Sequence, residues 1–191
     1  SRVLELAQIM AGPTCGLLLA DLGAEVIKIE KTPRGDDTRS FLPPEINGES
    51  AAFMMMNRNK KGIALNLKDK DGIEIFKTMV KNSDVVLENF RKGTLEKLGV
   101  GYDVLSEINP KIILCEISGY GRTGPYADKG GFDLVAQGMS GLMSITGESA
   151  DKPPMKVGVP ITDITAGLLA ASGILAALVH REKTRSEEHT S

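Results

Sequence analysis

The sequence lacks tryptophan, has only two cysteines and two histidines, and carries almost no excess of charge of either sign. Aromatic residues make up 4% of the chain and the net charge is −2, which argues against a base-stacking platform and against a basic surface for nucleic acid. Cys15 and Cys115 have no CxxC spacing, and His180 and His189 have no clustered ligands. We therefore predict no metal site, buried cysteines, and a reducing compartment: the cytoplasm, or the mitochondrial matrix in a eukaryote.

Three glycine motifs of well-known sites are also missing. Gly12 and Gly16 follow the first predicted strand, but they do not have the GxGxxG spacing of a classical NAD site. The glycine-rich turn at 118–125 contains neither the Gly-Lys-Ser/Thr of a P-loop nor the GxSxG of a nucleophile elbow. These absences disfavour NAD-dependent enzymes, P-loop enzymes and serine hydrolases.

What the sequence does contain is a regular alternation of β-patterned and helical segments in one domain-sized chain of 191 residues. The predicted strands are 3–6, 25–30, 63–67, 84–88 and 111–117, and the predicted helices are 11–22, 51–57, 68–80, 94–98 and 102–107. This alternation predicts an α/β fold, a Rossmann-like, mostly parallel sheet with flanking helices. Ligands would bind beyond the carboxyl ends of the strands, near segments 8–12, 30–39, 88–93 and 118–125.

The longest uncharged run, 164–179, follows Pro160 and Asp163. Because this run is apolar at nearly every position, it predicts a buried helix, with Thr162 or Asp163 as the N-cap. Its 16 residues are short for a membrane span. Asp163 has two interpretations. It could only cap the helix, or it could be an ionised, poorly solvated carboxylate that faces a cleft and acts as a covalent nucleophile.

Both ends of the chain suggest that it is a fragment. There is no initiator Met, and residues 185–191 show no relation to the helical pattern before them. We expect residues 1–184 to be the N-terminal part of a larger domain, and residues 185–191 to be a non-native tail.

A set of short motifs, in order along the chain, resembles the family III CoA-transferases, also called the CaiB/BaiF family. These motifs are Leu4-Glu5-Leu6, Ala11-Gly12-Pro13, the segments 21–30, 35–39, 57–61, 88–91, 119–125 and 131–133, and Asp163. The resemblance covers residues 1 to about 184. It implies an acyl-CoA and a carboxylic acid as substrates, no permanently bound cofactor, and a full-length chain about twice as long that forms an interlocked homodimer. It also implies that this fragment alone is inactive and poorly soluble.

The resemblance implies a role for several residues. Asp163 matches the family's nucleophile, which forms an aspartyl–acyl anhydride and then an enzyme–CoA thioester. The residues implied to hold CoA fall into four groups along the ligand. They are Gln8, Ile9 and Met10 at the thioester arm, Lys31, or Arg34 and Arg39 nearby, at the phosphates, Leu65 and Lys68 at the adenine, and Asn89, Phe90, Arg91 and Lys97 at the pantetheine and diphosphate.

Two residues of the implied substrate pocket separate the alternatives. The related α-methylacyl-CoA racemases have a His where this chain has Phe132, and a two-base isomerase that lacks one base should fail. Asp133 could orient groups near Asp163 or cap the helix that follows it. The alternatives to a transferase are thus a racemase-like isomerase and a non-catalytic CoA-binding module, in which Asp163 would be a cap only.

Overall fold

The computed structural model describes residues 1–188, with side chains through residue 184. Its main sheet has five strands, all parallel, and a short antiparallel hairpin lies beside it. The strands are β1 Arg2–Glu5, β2 Glu25–Glu30, β3 Glu45–Ile46, β4 Glu49–Ser50, β5 Lys61–Ala64, β6 Val85–Glu88 and β7 Ile113–Glu116. The order across the main sheet is β5-β2-β1-β6-β7, so the predicted Rossmann-like α/β fold is confirmed.

Helices connect the strands and cover both faces of the sheet. They are α1 Ala11–Asp21, α2 Ala51–Asn57, α3 Lys70–Val80, α4 Thr94–Lys97, α5 Tyr102–Ile108, α6 Asp133–Met139 and α7 Ile161–Glu188. Among the predicted strands, the bounds of β5 differ most from the prediction, which was 63–67. Its ladder with β2 stops at Ala64 because β2 itself ends at Glu30, the partner of Ala64.

Alternation along the strands divides the core into two clusters, one on each face of the sheet. Leu4 packs with Phe76 and Val80 on the face covered by α3 and α5, whereas Val3 packs with Leu19 and Ile174 on the face covered by α1 and α7. Successive side chains of a strand point to opposite faces, which explains how neighbouring residues of β1 enter different clusters.

Helix α7 was expected to be buried on all sides, and this prediction is wrong. One stripe packs against α1 and the sheet: Ala171 and Ile174 are buried, and a Cβ added to Gly167 would lie 2.6 Å from the Ala11 carbonyl oxygen. The opposite side is open, and Leu169 is 67% exposed. A sequence that is apolar at almost every position does not reveal how many sides of its helix have a neighbour.

The same helix is also longer than its uncharged run. Within the described residues, Ile161–Thr184 is long and apolar enough to cross a membrane by length and composition alone, with a mean hydropathy of 1.7 in its most apolar window. The estimate that it is too short counted only residues 164–179. Its packing against α1 makes it one layer of the α/β domain.

The predicted tail, 185–191, falls partly outside the described residues. The backbone of residues 185–188 continues α7, and residues 189–191 are not described. The assignment of 185–191 as a non-native tail therefore stays a prediction.

Candidate active site

A cleft of about 380 Å³ opens where β1, β6 and β7 end, beside the first turn of α7. The chain runs outward in one direction from β1 to β2 and β5, and in the other direction through β6 and β7. The cleft thus lies at the point where the strand order reverses, the usual ligand site of an open α/β sheet. Of the residues predicted from the sequence, those that line it are Ile9, Met10, Asn89, Phe90, Arg91, Phe132 and Asp163.

Two loops are joined across this reversal point. The Asn89 side chain, just after β6, accepts a hydrogen bond from the Gln8 N–H at 2.9 Å and donates one to the Gln8 carbonyl at 2.8 Å. Gln8 is therefore held by its backbone, and its neighbours Ile9 and Met10 form the wall of the cleft. The amide of Asn89 is used to fix this wall.

Asp163 lies in the first turn of α7 and faces the cleft. The helix begins at Ile161, two residues earlier than Asp163, so the prediction that Thr162 or Asp163 is the N-cap is wrong. Pro160 precedes the helix, and its carbonyl accepts the Ile164 N–H at 3.0 Å. Burial, followed by the nearby charge of Asp133, raises the pKa of Asp163 above its ordinary value.

Asp133 binds the start of α7 from a neighbouring helix. One of its carboxylate oxygens accepts the Thr162 N–H at 2.9 Å and the Thr162 hydroxyl at 2.7 Å, and the other accepts from Gln137 at 2.7 Å. Although burial acts to raise its pKa, these hydrogen bonds lower the pKa of Asp133 overall. Asp133 therefore binds Thr162, the neighbour of Asp163, and its functional role stays a prediction.

The glycine-rich turn at 118–125 forms another wall of the cleft. The Cα of Gly131 lies 2.3 Å from where a Cβ on Gly119 would be, so the two loops touch through their backbones. Arg122 fastens this turn to the sheet by donating to Glu88 and by an ion pair with Glu116 at 2.6 Å. Burial raises the pKa of Glu88 to about 7. The Glu88–Glu116–Arg122 cluster was not predicted from the sequence.

The remaining predicted CoA contacts lie outside the cleft. Lys31 pairs with Asp37 at 2.5 Å, and Arg39 donates to both oxygens of Glu30 at 2.7 and 2.8 Å. Leu65 is 8% exposed and belongs to the core cluster with Phe76, so little of it is left to flank an adenine. The other two, Lys68 and Lys97, are exposed on the surface. Their contacts with CoA stay predictions.

Two cations that the sequence analysis did not single out, Lys92 and Lys129, also line the cleft. Lys92 is 4.0 Å from Asp128, and the Lys129 ammonium lies 4.1 Å from the ring centre of Tyr126. With Arg91 they place three positive side chains at a cleft that contains Asp163. No sequence signal marks them, because Lys92 follows β6 and Lys129 comes from a loop some 40 residues later.

Comparison with known proteins decides the family. The model of CoA-transferase family III matches residues 1–189. The chain belongs to this family. As a family III CoA-transferase it is 46% identical to the succinate–glutarate CoA-transferase of Agrobacterium fabrum, over 98% of this chain and 48% of that protein. It is also 46% identical to the human succinyl-CoA:glutarate CoA-transferase, over 96% of this chain and 42% of that protein.

Solved structures agree with this assignment. A CaiB/BaiF family protein from Brucella suis superposes with a TM-score of 0.91 at 45% identity, covering 96% of this chain and 49% of that one. The chain spans about half the length of the curated relatives it matches.

Proposed function

We propose that the full chain transfers coenzyme A from an acyl-CoA thioester to a carboxylic acid, with Asp163 as the covalent nucleophile. The observation that supports this most directly is a half-buried carboxylate that faces a cleft at the reversal point of the sheet. Within the part of the chain that the structure describes, Asp163 forms no ion pair, so its charge is not engaged elsewhere. A poorly solvated, unpaired carboxylate is a stronger nucleophile than a hydrated one.

The reaction needs two carbonyl substitutions for each half-transfer. A carboxylate oxygen of Asp163 attacks the thioester carbonyl carbon, the C–S bond breaks, and CoA leaves as a thiolate. The product is an aspartyl–acyl anhydride, which preserves the activation of the thioester. The thiolate then attacks the aspartyl carbonyl carbon, giving an enzyme–CoA thioester and releasing the first acid as its carboxylate. A second carboxylate repeats the two steps in reverse, so a new acyl-CoA forms and Asp163 is regenerated.

The start of α7 suits the charge changes in these steps. Aligned peptide dipoles favour negative charge at a helix N-terminus, and the oxyanion of each carbonyl addition would form beside that first turn. Asp133 holds Thr162 at the same turn and thereby fixes the direction of the Asp163 side chain. Walls that exclude water would protect the anhydride from hydrolysis.

A dicarboxylic acid is the substrate class that we infer. Relatives named for succinyl-CoA and glutarate support it, since both names specify acids with two carboxyl groups. Arg91, Lys92 and Lys129 line the same cleft as Asp163, and they could bind a second carboxylate or a phosphate of CoA. Because the chain spans 42% of the length of these relatives, we expect residues 1–191 alone to be inactive. The homodimer that the family resemblance implies is our expectation for the full chain.

The deciding experiment is mass spectrometry of the acyl-CoA pool. The full chain is incubated in heavy water with succinyl-CoA, a branched 2-methylacyl-CoA and a mixture of carboxylic acids that includes glutarate. We expect new acyl-CoA species with the native protein and none with Asp163→Asn, which should still bind CoA with a Kd within about threefold. Asp103→Asn is the matched control, because Asp103 also lies in the first turn of a helix but is exposed.

Other outcomes would replace this function. Deuterium at the α-carbon without new acyl-CoA would indicate an isomerase, despite Phe132. CoA binding without either reaction would indicate a binding module in which Asp163 has no chemical role.

A further inference from the structure

Four charged side chains form a buried network beneath the cleft. They are Glu5, Lys28, Asp36 and Lys60, each with a side chain no more than 3% exposed. Lys28 lies 3.0 Å from Glu5 and 2.8 Å from Asp36, and Lys60 lies 2.8 Å from Glu5. Two positive and two negative charges balance within this Glu5–Lys28–Asp36–Lys60 network.

The network is built from separate parts of the chain. Glu5 and Lys28 are register partners on β1 and β2, Asp36 belongs to the loop after β2, and Lys60 directly precedes β5. Burying charged groups is expensive, and a buried ion pair often adds no stability over apolar residues of the same size. An explanation for the network should therefore be sought in what it holds in place.

Three network residues each bind a different point of segment 7–13, which forms one wall of the cleft and enters α1. Lys28 donates to the Ala7 carbonyl at 2.9 Å, and Lys60 donates to the Pro13 carbonyl at 2.9 Å. Between them, the Ile9 N–H donates to both carboxylate oxygens of Asp36 at 3.2 Å. The segment 7–13 is thus fixed at its start, its middle and its end by one connected set of charges.

The middle contact falls on a strained residue. Ile9 has a φ of +70°, a left-handed conformation that is unfavourable for a β-branched side chain. Such a conformation persists only when the surroundings enforce it. The Ile9 side chain lines the cleft together with Met10, so the strain is located where a ligand would be aligned.

We propose that the Glu5–Lys28–Asp36–Lys60 network holds Ile9 in its left-handed conformation and thereby aligns the reacting end of an acyl-CoA with Asp163. The four residues are positioning residues, since they act through Ile9 and Met10. This inference rests on the proposed CoA transfer. It assigns a role in turnover to residues that lie outside the cleft itself.

A double-mutant cycle on the full chain tests the proposal. Asp36→Ala removes the acceptor of the Ile9 N–H, and we expect kcat for CoA transfer to fall about 10- to 100-fold, because small displacements of a bound substrate cost this much. In the background of Ile9→Gly, the same substitution should cost no more than about threefold, since glycine adopts a positive φ without strain. An equal cost in both backgrounds would show a merely structural role and overturn the proposal.

Two further variants complete the design. Asp36→Asn keeps an oxygen that can accept the Ile9 N–H, so it should retain more activity than Asp36→Ala, and it provides the measurement if the alanine variant does not fold. Asp21→Ala removes an exposed carboxylate that pairs with Arg58 at 2.6 Å, and its kcat should match that of the native protein. If Asp36→Asn and Asp36→Ala lost activity equally, the acceptor role of Asp36 would be refuted.

Amide hydrogen exchange separates failure of this proposal from failure of the proposed function. If the native full chain transfers no CoA, the proposed function is wrong, and exchange at Ile9 still decides what the network does. Asp36→Ala should speed exchange of the Ile9 amide at least about tenfold while the β1 amides stay protected. Unchanged exchange at Ile9, or equal loosening of β1, would contradict the positioning role.

Discussion

Two groups of carboxylates near the cleft have opposite surroundings. In the Glu5–Lys28–Asp36–Lys60 network, each carboxylate meets a lysine within 3.0 Å. At the start of α7, Asp133 and Asp163 lie together without an ion pair among the described residues, and only Asp133 accepts several hydrogen bonds. Matched charges have fixed positions, whereas an unmatched carboxylate keeps lone pairs available for reaction.

The pKa directions follow this difference. The pKa of Asp36 is lowered, although burial opposes the change, because the Lys28 ammonium lies beside it. The pKa of Asp163 is raised, since burial and Asp133 both disfavour its charged form. A fold can thus use aspartate both to fix a segment of the wall of a cleft and to supply a nucleophile inside the cleft.

Removing one charge from the Glu5–Lys28–Asp36–Lys60 network should have the largest effect on stability. Lys60→Ala leaves the buried Glu5 carboxylate with one lysine fewer, and we expect the full chain to lose about 3–5 kcal/mol, the typical cost of an uncompensated buried charge. The urea midpoint of unfolding measures this loss. The adjacent Lys61→Ala is the control, because Lys61 is exposed and pairs with Glu25 at 2.6 Å; its loss should be below about 1 kcal/mol. Equal losses for both variants would contradict the distinction.

An intermediate effect is expected from removing the carboxylate that binds the start of α7. Asp133→Ala frees the Thr162 N–H, which should cost about 1–2 kcal/mol, as for other lost helix caps. It also removes a like charge from the vicinity of Asp163, so the pKa of Asp163 should fall and the acid limb of kcat against pH should move to lower pH.

Asp69→Ala is the control for this prediction. The Asp69 side chain caps α3, where it accepts the Asp71 N–H at 2.9 Å, and Asp69 does not line the cleft. Asp69→Ala should lower the free energy of unfolding by about as much as Asp133→Ala does, and it should leave the pH profile of CoA transfer unchanged. An acid limb that stayed in place with Asp133→Ala would show that Asp133 does not influence Asp163 electrostatically.

The smallest predicted change in stability comes from replacing Asp163, the carboxylate without an ion pair. The native state raises the pKa of Asp163, so it binds a proton more readily than the unfolded state, and stability falls as pH rises from the unfolded pKa through the native one. Asp163→Asn removes this penalty and should raise stability at pH 7 by less than about 1 kcal/mol, with no gain at pH 3.

Asp103→Asn should act in the other direction, with a loss of about 0.3–1 kcal/mol, because an exposed carboxylate in the first turn of a helix is stabilising. Thermal unfolding of both variants at pH 7 and pH 3 measures the comparison. A destabilised Asp163→Asn at pH 7 would mean that Asp163 contributes as an ordinary helix-start residue.

Local patterns were sufficient for most of the elements. Glu25–Glu30 and Ala51–Asn57 were predicted with the bounds that β2 and α2 have, because the patterns that mark these two elements lie within a few residues. The buried network also has a local signal in the sequence. Glu5 lies between two leucines and Lys28 between two isoleucines, so opposite charges occur inside two apolar strands.

Other features depend on contacts between distant residues. Thr162 and Asp133 are 29 residues apart, and Lys60 and Glu5 are 55 apart, so no periodicity indicates that they meet. The positive φ of Ile9 is unfavourable for its own residue type, and only Asp36 and the rest of the loop make it tolerable.

The sequence by itself determined the alternation of strands and helices, the family, and an aspartate close to the start of the long apolar helix. The tertiary structure alone decided which side of α7 is covered, that α7 begins before Asp163, and which of two neighbouring carboxylates is satisfied. The reason is that propensity and hydrophobic pattern act over a few residues. Burial, charge pairing and the direction of a side chain into a cleft depend instead on which distant segments the parallel sheet brings together.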